Sequence, residues 1–188
     1  LFKGVIHIGA NEAEEYNEYK SLDISPIVFF EPIEYNVQQI VNKTKLDSDV
    51  TIYPFGLGSK EETKTFYQSN NRASSSCLKP KIHLDQYPGI RFDESKIEIK
   101  TLDSFNFGPQ FNFLNIDVQG YELEVLKGGL NTLEHIQYIL LEVNNVEMYE
   151  GCTLFEPLKE FLNEHDFRYK EADFKMGEDN WGDAFFIK

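Results

Sequence analysis

Only two cysteines, Cys77 and Cys152, occur in 188 residues. They are too few for a disulfide framework and lack the paired spacing of a zinc site, so a reducing, cytoplasmic compartment is expected. Long apolar runs are also missing. The longest, such as residues 27–30 and 138–141, are strand-sized, far short of the roughly 18 residues of a membrane span, and no membrane partner is expected. Positive charge is scarce: 18 Lys and Arg stand against 32 Asp and Glu, a formal charge of −14. Such a surface repels the phosphates of nucleic acids and anionic lipids, so nucleic acid is not an expected partner, whereas a cationic ligand suits the charge. Phosphate-cradling glycine loops are absent as well. Neither Gly-x-x-x-x-Gly-Lys nor a complete Gly-x-Gly-x-x-Gly turn occurs, which disfavours a nucleoside triphosphatase and a dinucleotide cofactor. The chain opens at Leu1 and enters a strand at once, so any targeting segment would lie ahead of it.

What is present is an alternation of short apolar runs, rich in β-branched and aromatic residues, with longer stretches of helical periodicity. That pattern predicts parallel βαβ units. Strands are expected over residues 5–8, 27–31, 50–55, 113–116 and 136–143, and Gly56 and Gly58 are expected to end the third. Helices are expected over residues 12–22, from Pro32 onward with Val37, Ile40 and Val41 on one side, over 121–133 with Leu123, Leu126, Leu130 and Leu133 on one face, and over 153–164 with Leu154, Leu158, Phe161 and Leu162 inward. Gly128 and Gly129 should shorten or kink the third of these, since each glycine costs about 1 kcal/mol inside a helix. Residues 167–171 and 184–187 read as a final antiparallel pair. Residues 59–110 break the alternation, with strands expected at 63–67 and 97–101 around a polar stretch holding Asn70, Asn71, Arg72 and residues 74–76. A single domain over residues 1–188 is expected, since a chain of this length can bury roughly 70% of its surface around one core.

In an open parallel sheet, ligands bind outside the carboxyl ends of the strands, where the strand order reverses. Those ends carry Gly9, Ala10 and Asn11, then Glu31 and Pro32, then Gly56 and Leu57, then Asp117, Val118, Gln119 and Gly120, then residues 142–145. Gly9 permits a tight turn, and a helix after it would offer free N–H groups to a carboxylate or phosphate. Glu31 follows Gly9 by 22 residues, at the end of the next strand, where a carboxylate can accept both hydroxyls of a ribose. An ordinary strand-to-helix turn with an acid downstream would leave the same trace. Among nucleoside ligands, a pyrophosphate would face Glu12, Glu14 and Glu15. S-adenosylmethionine, with one carboxylate, one ammonium and a sulfonium, tolerates those acids, which a helix's first turn also favours for its dipole.

The stretch Asn115-Ile116-Asp117-Val118-Gln119-Gly120-Tyr121-Glu122 puts two carboxylates and an amide beside that site. Asp117 could hold an ammonium. Asp117, then Glu122 and Glu142, could take the proton of an acceptor hydroxyl, although a capping Asp117 and a first-turn Glu122 explain the same residues structurally. The three acids could gather Mg²⁺, but nothing fixes an octahedral set and no metal is assigned. Arg72, Ser75 and Ser76, with Gln119, are the candidates for acceptor recognition, His83 is a lesser candidate base, and a plain solvated loop is the alternative for the polar stretch. His7 reads as a satisfied strand residue.

Taken in order, Val5-Ile6-His7-Ile8-Gly9-Ala10-Asn11, Phe29-Phe30-Glu31-Pro32, Ser74-Ser75-Ser76, Thr101-Leu102-Asp103-Ser104-Phe105, Asn115 to Glu122 with Val125-Leu126-Lys127-Gly128-Gly129, and Leu140-Leu141-Glu142-Val143 resemble the motifs of FkbM-type methyltransferases over nearly the whole chain. The resemblance implies an α/β, Rossmann-like class I methyltransferase fold: a mostly parallel seven-stranded sheet with a C-terminal antiparallel pair, here with an extra β insertion after the third strand. It further implies S-adenosylmethionine as donor, a hydroxyl of a small molecule, a sugar or secondary metabolite, as acceptor, and donor-site roles for Gly9, Asn11, Glu31 and Asp117. This chain departs from the family where members often carry an acid (His7), a glycine soon after the Gly-Ala-Asn turn (Ala13) and Asp-Val-Glu-Gly (Asp117-Val118-Gln119-Gly120). The last departure removes one candidate base. An S-adenosylmethionine-dependent O-methyltransferase is the expected function, with a nicotinamide-dependent oxidoreductase or a non-catalytic nucleoside-binding module as the alternatives.

Overall fold

The structure, a computed structural model, describes residues 2–45, 47–174 and 180–188. In chain order its strands are β1 (Gly4–Ile8), β2 (Ile27–Phe30), β3 (Val50–Tyr53), β4 (Gly56–Leu57), β5 (Glu62–Ser69), β6 (Phe92–Lys100), β7 (Phe111–Ile116), β8 (Tyr138–Asn144), β9 (Arg168–Phe174) and β10 (Trp181–Ile187). The helices are α1 (Tyr16–Ser21), α2 (Glu34–Thr44), α3 (Ile82–Gln86), α4 (Glu122–Lys127), α5 (Leu130–Leu133) and α6 (Phe155–Glu164).

Seven strands form one sheet in the order β3-β2-β1-β7-β8-β10-β9. The first five in that order run parallel, and β10 lies antiparallel between β8 and β9. The chain therefore travels outward from β1 through β2 to β3, then returns to β1's other side with β7. That reversal opens a crevice above the carboxyl ends of β1 and β7. Strands β1, β2 and β7 are buried along their whole length, which is why they read as unbroken apolar runs. Alternate residues feed two cores: Ile6, Ile8, Val28, Phe30, Leu114 and Ile116 point to one, and Val5, Ile27, Phe29 and Phe113 to the other.

A second sheet of three strands, in the order β4-β6-β5, is the insertion after β3. The third strand expected to reach residue 55 stops at Tyr53, and Gly56, instead of ending it, opens β4, which pairs parallel with β6 at Gly56 and Ile99. Strand β5 runs past both ends of the expected 63–67 and β6 starts five residues before the expected 97–101 and stops at Lys100, because an antiparallel pair can continue along solvent-facing polar residues.

Several helical expectations are corrected. The helix expected from Glu12 begins only at Tyr16, because Asn11 and Ala13 adopt left-handed backbone angles (φ 48° and 50°). The helix over 121–133, by contrast, is interrupted at Gly128 and Gly129 as those glycines led one to expect, and becomes α4 and α5. A Cβ on Gly128 would lie 2.0 Å from the Gly58 carbonyl oxygen, so only glycine admits this approach. The break shifts the phase of the leucines, and Leu130 is 45% exposed instead of facing the core. Leu154 precedes α6 as an extended capping residue and is likewise exposed. On α2 the buried stripe is Asn36, Ile40 and Thr44, four residues apart each, which turns Val41 outward.

Candidate active site

Gly9 sits at the reversal point with φ 79°, and a Cβ there would lie 1.8 Å from the Asp117 carbonyl oxygen. The left-handed turn and the close approach of two chains both require glycine. Behind it, the Glu31 carboxylate closes β2. One of its oxygens accepts the Asn11 backbone N–H at 2.9 Å and the other the Ile33 N–H at 2.8 Å. Asn36 Nδ2 donates to Asn11 Oδ1 at 3.0 Å and braces the turn from α2. Glu31 is 4% exposed. Burial raises its carboxyl to about 7, against the downward pull of its two backbone donors.

The Gly9 turn does not present the free N–H groups expected of it. The N–H groups of Gly9 and Ala10 both donate to the Phe30 carbonyl, that of Asn11 is taken by Glu31, and no helix starts within this turn. The acids expected to occupy a first helical turn, Glu12, Glu14 and Glu15, lie before α1, and Glu14 and Glu15 face the cavity.

That cavity encloses about 830 Å³ of empty space, its mouth included. Gly9, Ala10, Asn11, Glu31, Pro32, Gly56, Leu57, Asp117 and Val118, all nine residues expected at a donor site, line it. Its apolar surface includes Phe30, Ile33 and Phe55, together with Phe66 and Ile97 of the insertion. A second cavity, about 1170 Å³, adjoins it, and His7, Glu15, Ala73 and Asp117 line both.

Asp117 thus stands at the junction. Water reaches it through the cavities, although protein surrounds it on most sides. That surrounding protein, with Asp183 and Glu15 nearby, lifts its carboxyl to about 6 while a hydrogen bond from Gln119 pulls it down. Gln119, held at φ 55°, gives its amide nitrogen to Asp117 Oδ1 at 2.7 Å and to the two oxygens of Glu142 at 3.0 and 2.9 Å. Its amide oxygen accepts the Tyr149 hydroxyl at 2.8 Å. Glu142 is buried and lines the second cavity; burial first, then Asp117, Glu122 and Asp183, holds its carboxyl well above the usual range.

Glu122 requires a correction. It is 1% exposed, its Oε1 accepts the N–H groups of Val118 and Gly120 at 3.2 and 3.0 Å, and it lines neither cavity. It fastens the 117–120 turn and is out of reach of an acceptor. His7 is buried and neutral, with burial lowering its pKa to about 3, so the 3.8 Å approach of Glu15 is no ion pair. Its Nδ1 lies 3.0 Å from the Tyr19 hydroxyl, which in turn accepts Asn115 Nδ2 at 2.7 Å.

The polar stretch of the insertion forms the partition between the cavities. Arg72 and Ser75 line the first, not the second; Gln119 and His83 line the second. Arg72 pairs with Glu12 at 3.0 Å and stacks 4.1 Å from the Tyr35 ring, pinning the stretch to the segment after the Gly9 turn and to α2. Ser76 lines neither cavity: its hydroxyl donates to the Gln119 carbonyl at 2.8 Å and so fixes the turn that carries Gln119. Among the described residues no group of three or more His, Cys, Asp or Glu is placed to hold a metal ion, the trio Asp117, Glu122 and Glu142 included.

Residues that the strand-end reasoning passed over are Asn36, Trp181 and Asp183. The last two share one face of β10, Asp183 opposite Glu142 in register. An acid and the chain's sole tryptophan two residues apart on a terminal strand were the available signal.

The Methyltransferase FkbM domain matches residues 7–169. Over 160 residues the chain is 27% identical to the 2-O-methyltransferase NoeI of Sinorhizobium fredii, a match covering 78% of this chain and 65% of that protein. The chain therefore spans less than two thirds of that relative's length. Among solved structures, Sp1610 of Streptococcus pneumoniae, a candidate tRNA (m1A22) methyltransferase in complex with S-adenosyl-L-methionine, aligns with TM-score 0.58 at 13% identity, over 99% of this chain and 66% of that one. Magnesium protoporphyrin IX methyltransferase of Synechocystis PCC 6803, with bound S-adenosylmethionine, aligns with TM-score 0.57 at 6% identity, over 100% of this chain and 70% of that one. At such identities the likeness is one of fold, that of the class I methyltransferases.

Proposed function

We propose that this chain, which belongs to the FkbM methyltransferase domain family, is an S-adenosylmethionine-dependent O-methyltransferase acting on a small-molecule hydroxyl. The observation that carries this reading is the buried Glu31 carboxylate, locked to the Asn11 N–H beside a cavity that ends on Asp117. The residues fit the donor chemically. Phe30, Ile33 and Leu57 supply apolar surface for a base, Glu31 keeps acceptor capacity for ribose hydroxyls, and Glu14, Glu15 and Asp117 supply negative charge for a cation. When bound, S-adenosylmethionine supplies an electrophilic methyl group on a positively charged sulfur.

The chain's own contribution is alignment and proton removal. A positioned acceptor oxygen gains most of its rate from holding the reacting atoms at about 3 to 3.5 Å. Asp117 borders both cavities, so its carboxylate is the group set to take the acceptor hydroxyl's proton. Gln119 holds that carboxylate in place, and Glu142 acts through Gln119. Residues 59–110 serve as an insertion in a single domain and divide donor from acceptor. The net charge of −14 favours a small acceptor over nucleic acid. Among the described residues no helix is long and apolar enough to cross a membrane.

Calorimetric titration with S-adenosylmethionine and, separately, with NAD tests the proposal. Binding of the former alone supports it, and a preference for NAD overturns it in favour of an oxidoreductase.

A further inference from the structure

A ligand that carries both an ammonium and a carboxylate sets the first cavity a problem of charge. Glu14, Glu15, Glu31 and Asp117 line it, and they suit the ligand's positive groups. The ligand's carboxylate would meet like charge on the same walls, and a charge taken out of water is costly unless an opposite one pairs with it. The backbone does not supply the offset. The N–H groups of Gly9, Ala10 and Asn11 are all taken within the protein, and no helix begins at that turn. Among the described residues a single Lys or Arg lines the cavity, and it is Arg72 of the insertion.

Arg72 is held in a defined pose. Its backbone adopts φ 63°, in the left-handed region. That conformation is maintained by its N–H, which donates to the Ser69 carbonyl at 3.0 Å, and by the N–H and hydroxyl of Ser75, which donate to its carbonyl at 3.2 and 2.7 Å. Strained backbone of this kind persists where the surroundings over-determine it, commonly at ligand clamps. The guanidinium stacks over the Tyr35 ring, 4.1 Å from its centroid, which uses its face and fixes its plane. Within that plane the one hydrogen bond it makes among the described residues runs from Nη2 to Glu12 Oε1 at 3.0 Å. The Arg72 and Glu12 side chains are 33% and 36% exposed, so a ligand can reach the guanidinium and the pair holds it only weakly against a competing anion.

We infer that Arg72 binds the carboxylate at the amino-acid end of the methyl donor, and that it makes the first cavity selective for nucleosides that carry this carboxylate. A guanidinium suits the task, since its planar array of N–H donors matches a carboxylate and forms charge-assisted bonds with it. The ligand's ammonium is left to the acids on the opposite side of the charge balance. The inference rests on the S-adenosylmethionine reading and deepens it. It assigns Arg72 to the donor instead of the acceptor, and it puts donor selectivity on the insertion, outside the parallel core.

Calorimetric titration with two ligands tests it: S-adenosylhomocysteine, the donor without its methyl group, and its decarboxylated analogue, which keeps the adenosine and the amine. The unaltered protein is expected to bind S-adenosylhomocysteine more tightly by roughly tenfold or more. Arg72→Gln is expected to weaken S-adenosylhomocysteine by roughly tenfold or more and to leave the analogue within about threefold, so that the preference collapses. Arg72→Lys, which keeps the charge without the planar fork, is expected to fall between the two. Glu12→Gln removes the competing acid and is expected to tighten S-adenosylhomocysteine by roughly two- to tenfold without tightening the analogue. Thermal melts establish that each variant is folded. An unaltered protein that binds the two ligands alike, or an Arg72→Gln variant that weakens them alike or changes neither, overturns the inference and leaves the donor reading intact. Should Arg72→Gln not fold, an unchanged preference in both Arg72→Lys and Glu12→Gln overturns it equally. Failure of S-adenosylhomocysteine to bind the unaltered protein overturns both.

Discussion

The Asn11 backbone N–H donates to the Glu31 carboxylate at 2.9 Å, tying the loop after β1 to the end of β2 across 20 residues of sequence. This bond explains how a turn with no helix behind it keeps its shape, and it makes Glu31 both a fastener and part of the lining of the first cavity.

Replacing Glu31 with Ala should therefore act twice. The N–H groups of Asn11 and Ile33 lose their acceptor, at about 1–3 kcal/mol for each left buried and unpaired, and the ribose loses its carboxylate. S-adenosylmethionine affinity should fall roughly 10- to 100-fold by calorimetry, about 1.4 to 2.7 kcal/mol. The melting temperature should fall with it. Unchanged affinity would remove the residue from the donor site.

Asp117→Asn should lower kcat by roughly 10²- to 10⁴-fold, the usual contribution of a positioned base. Glu122→Gln should retain activity within about threefold, because an amide oxygen can still accept the Val118 and Gly120 N–H groups. Steady-state kinetics on the two variants separate the two acids. The opposite ranking would reverse their assigned roles.

Gln119→Glu would set a third carboxylate against Asp117 and Glu142, where now an amide nitrogen bridges them. Like charge raises a carboxyl's pKa, so the acid limb of the kcat/KM profile should move to higher pH, by about one unit or more. A limb that stays in place would mean that Asp117 does not govern it.

The ligand-free protein should lose stability as pH rises from about 5.5 to about 8. Burial raises the carboxyls of Glu31 and Glu122 to about 7, that of Asp117 to about 6 and that of Glu142 well above the usual range. Each then binds a proton in the folded chain at a pH where the unfolded chain has released it. That stabilisation is complete below the unfolded value and fades as pH climbs through the folded one. His7, lowered to about 3, and His83, also lowered, oppose this below their unfolded value of 6.5. Four groups outweigh two, and the urea midpoint should decline across the interval. A midpoint that climbs would show that the carboxyls are not held as described.

The parallel core and the reversal point were legible because β1, β2 and β7 are sealed on both faces and so spell continuous apolar runs. The nine positions expected at a donor site were read from that topology, and they line one cavity together. The start of α1 was not legible, since Ala13 at φ 50° is a conformation that alanine's own preferences oppose and the surrounding structure imposes. Nor was the role of Glu122, whose position in a first helical turn looks the same whether it fastens a loop or faces a substrate. Asp183 and Trp181 reach the second cavity only because β10 inserts beside β8, pairing Asp183 with Glu142 and Trp181 with Asn144 across 41 and 37 positions, which no local pattern announces.

Ala73 borders both cavities, on a stretch anchored by the Arg72 contacts to Glu12 and Tyr35. Two chambers that share one wall do not fill independently: whichever compound arrives first settles the boundary the other must meet. Reciprocal coupling between the two chambers follows from such a divider, and because its Arg72–Glu12 anchor is partly exposed to solvent, added salt should weaken that coupling before it harms the fold.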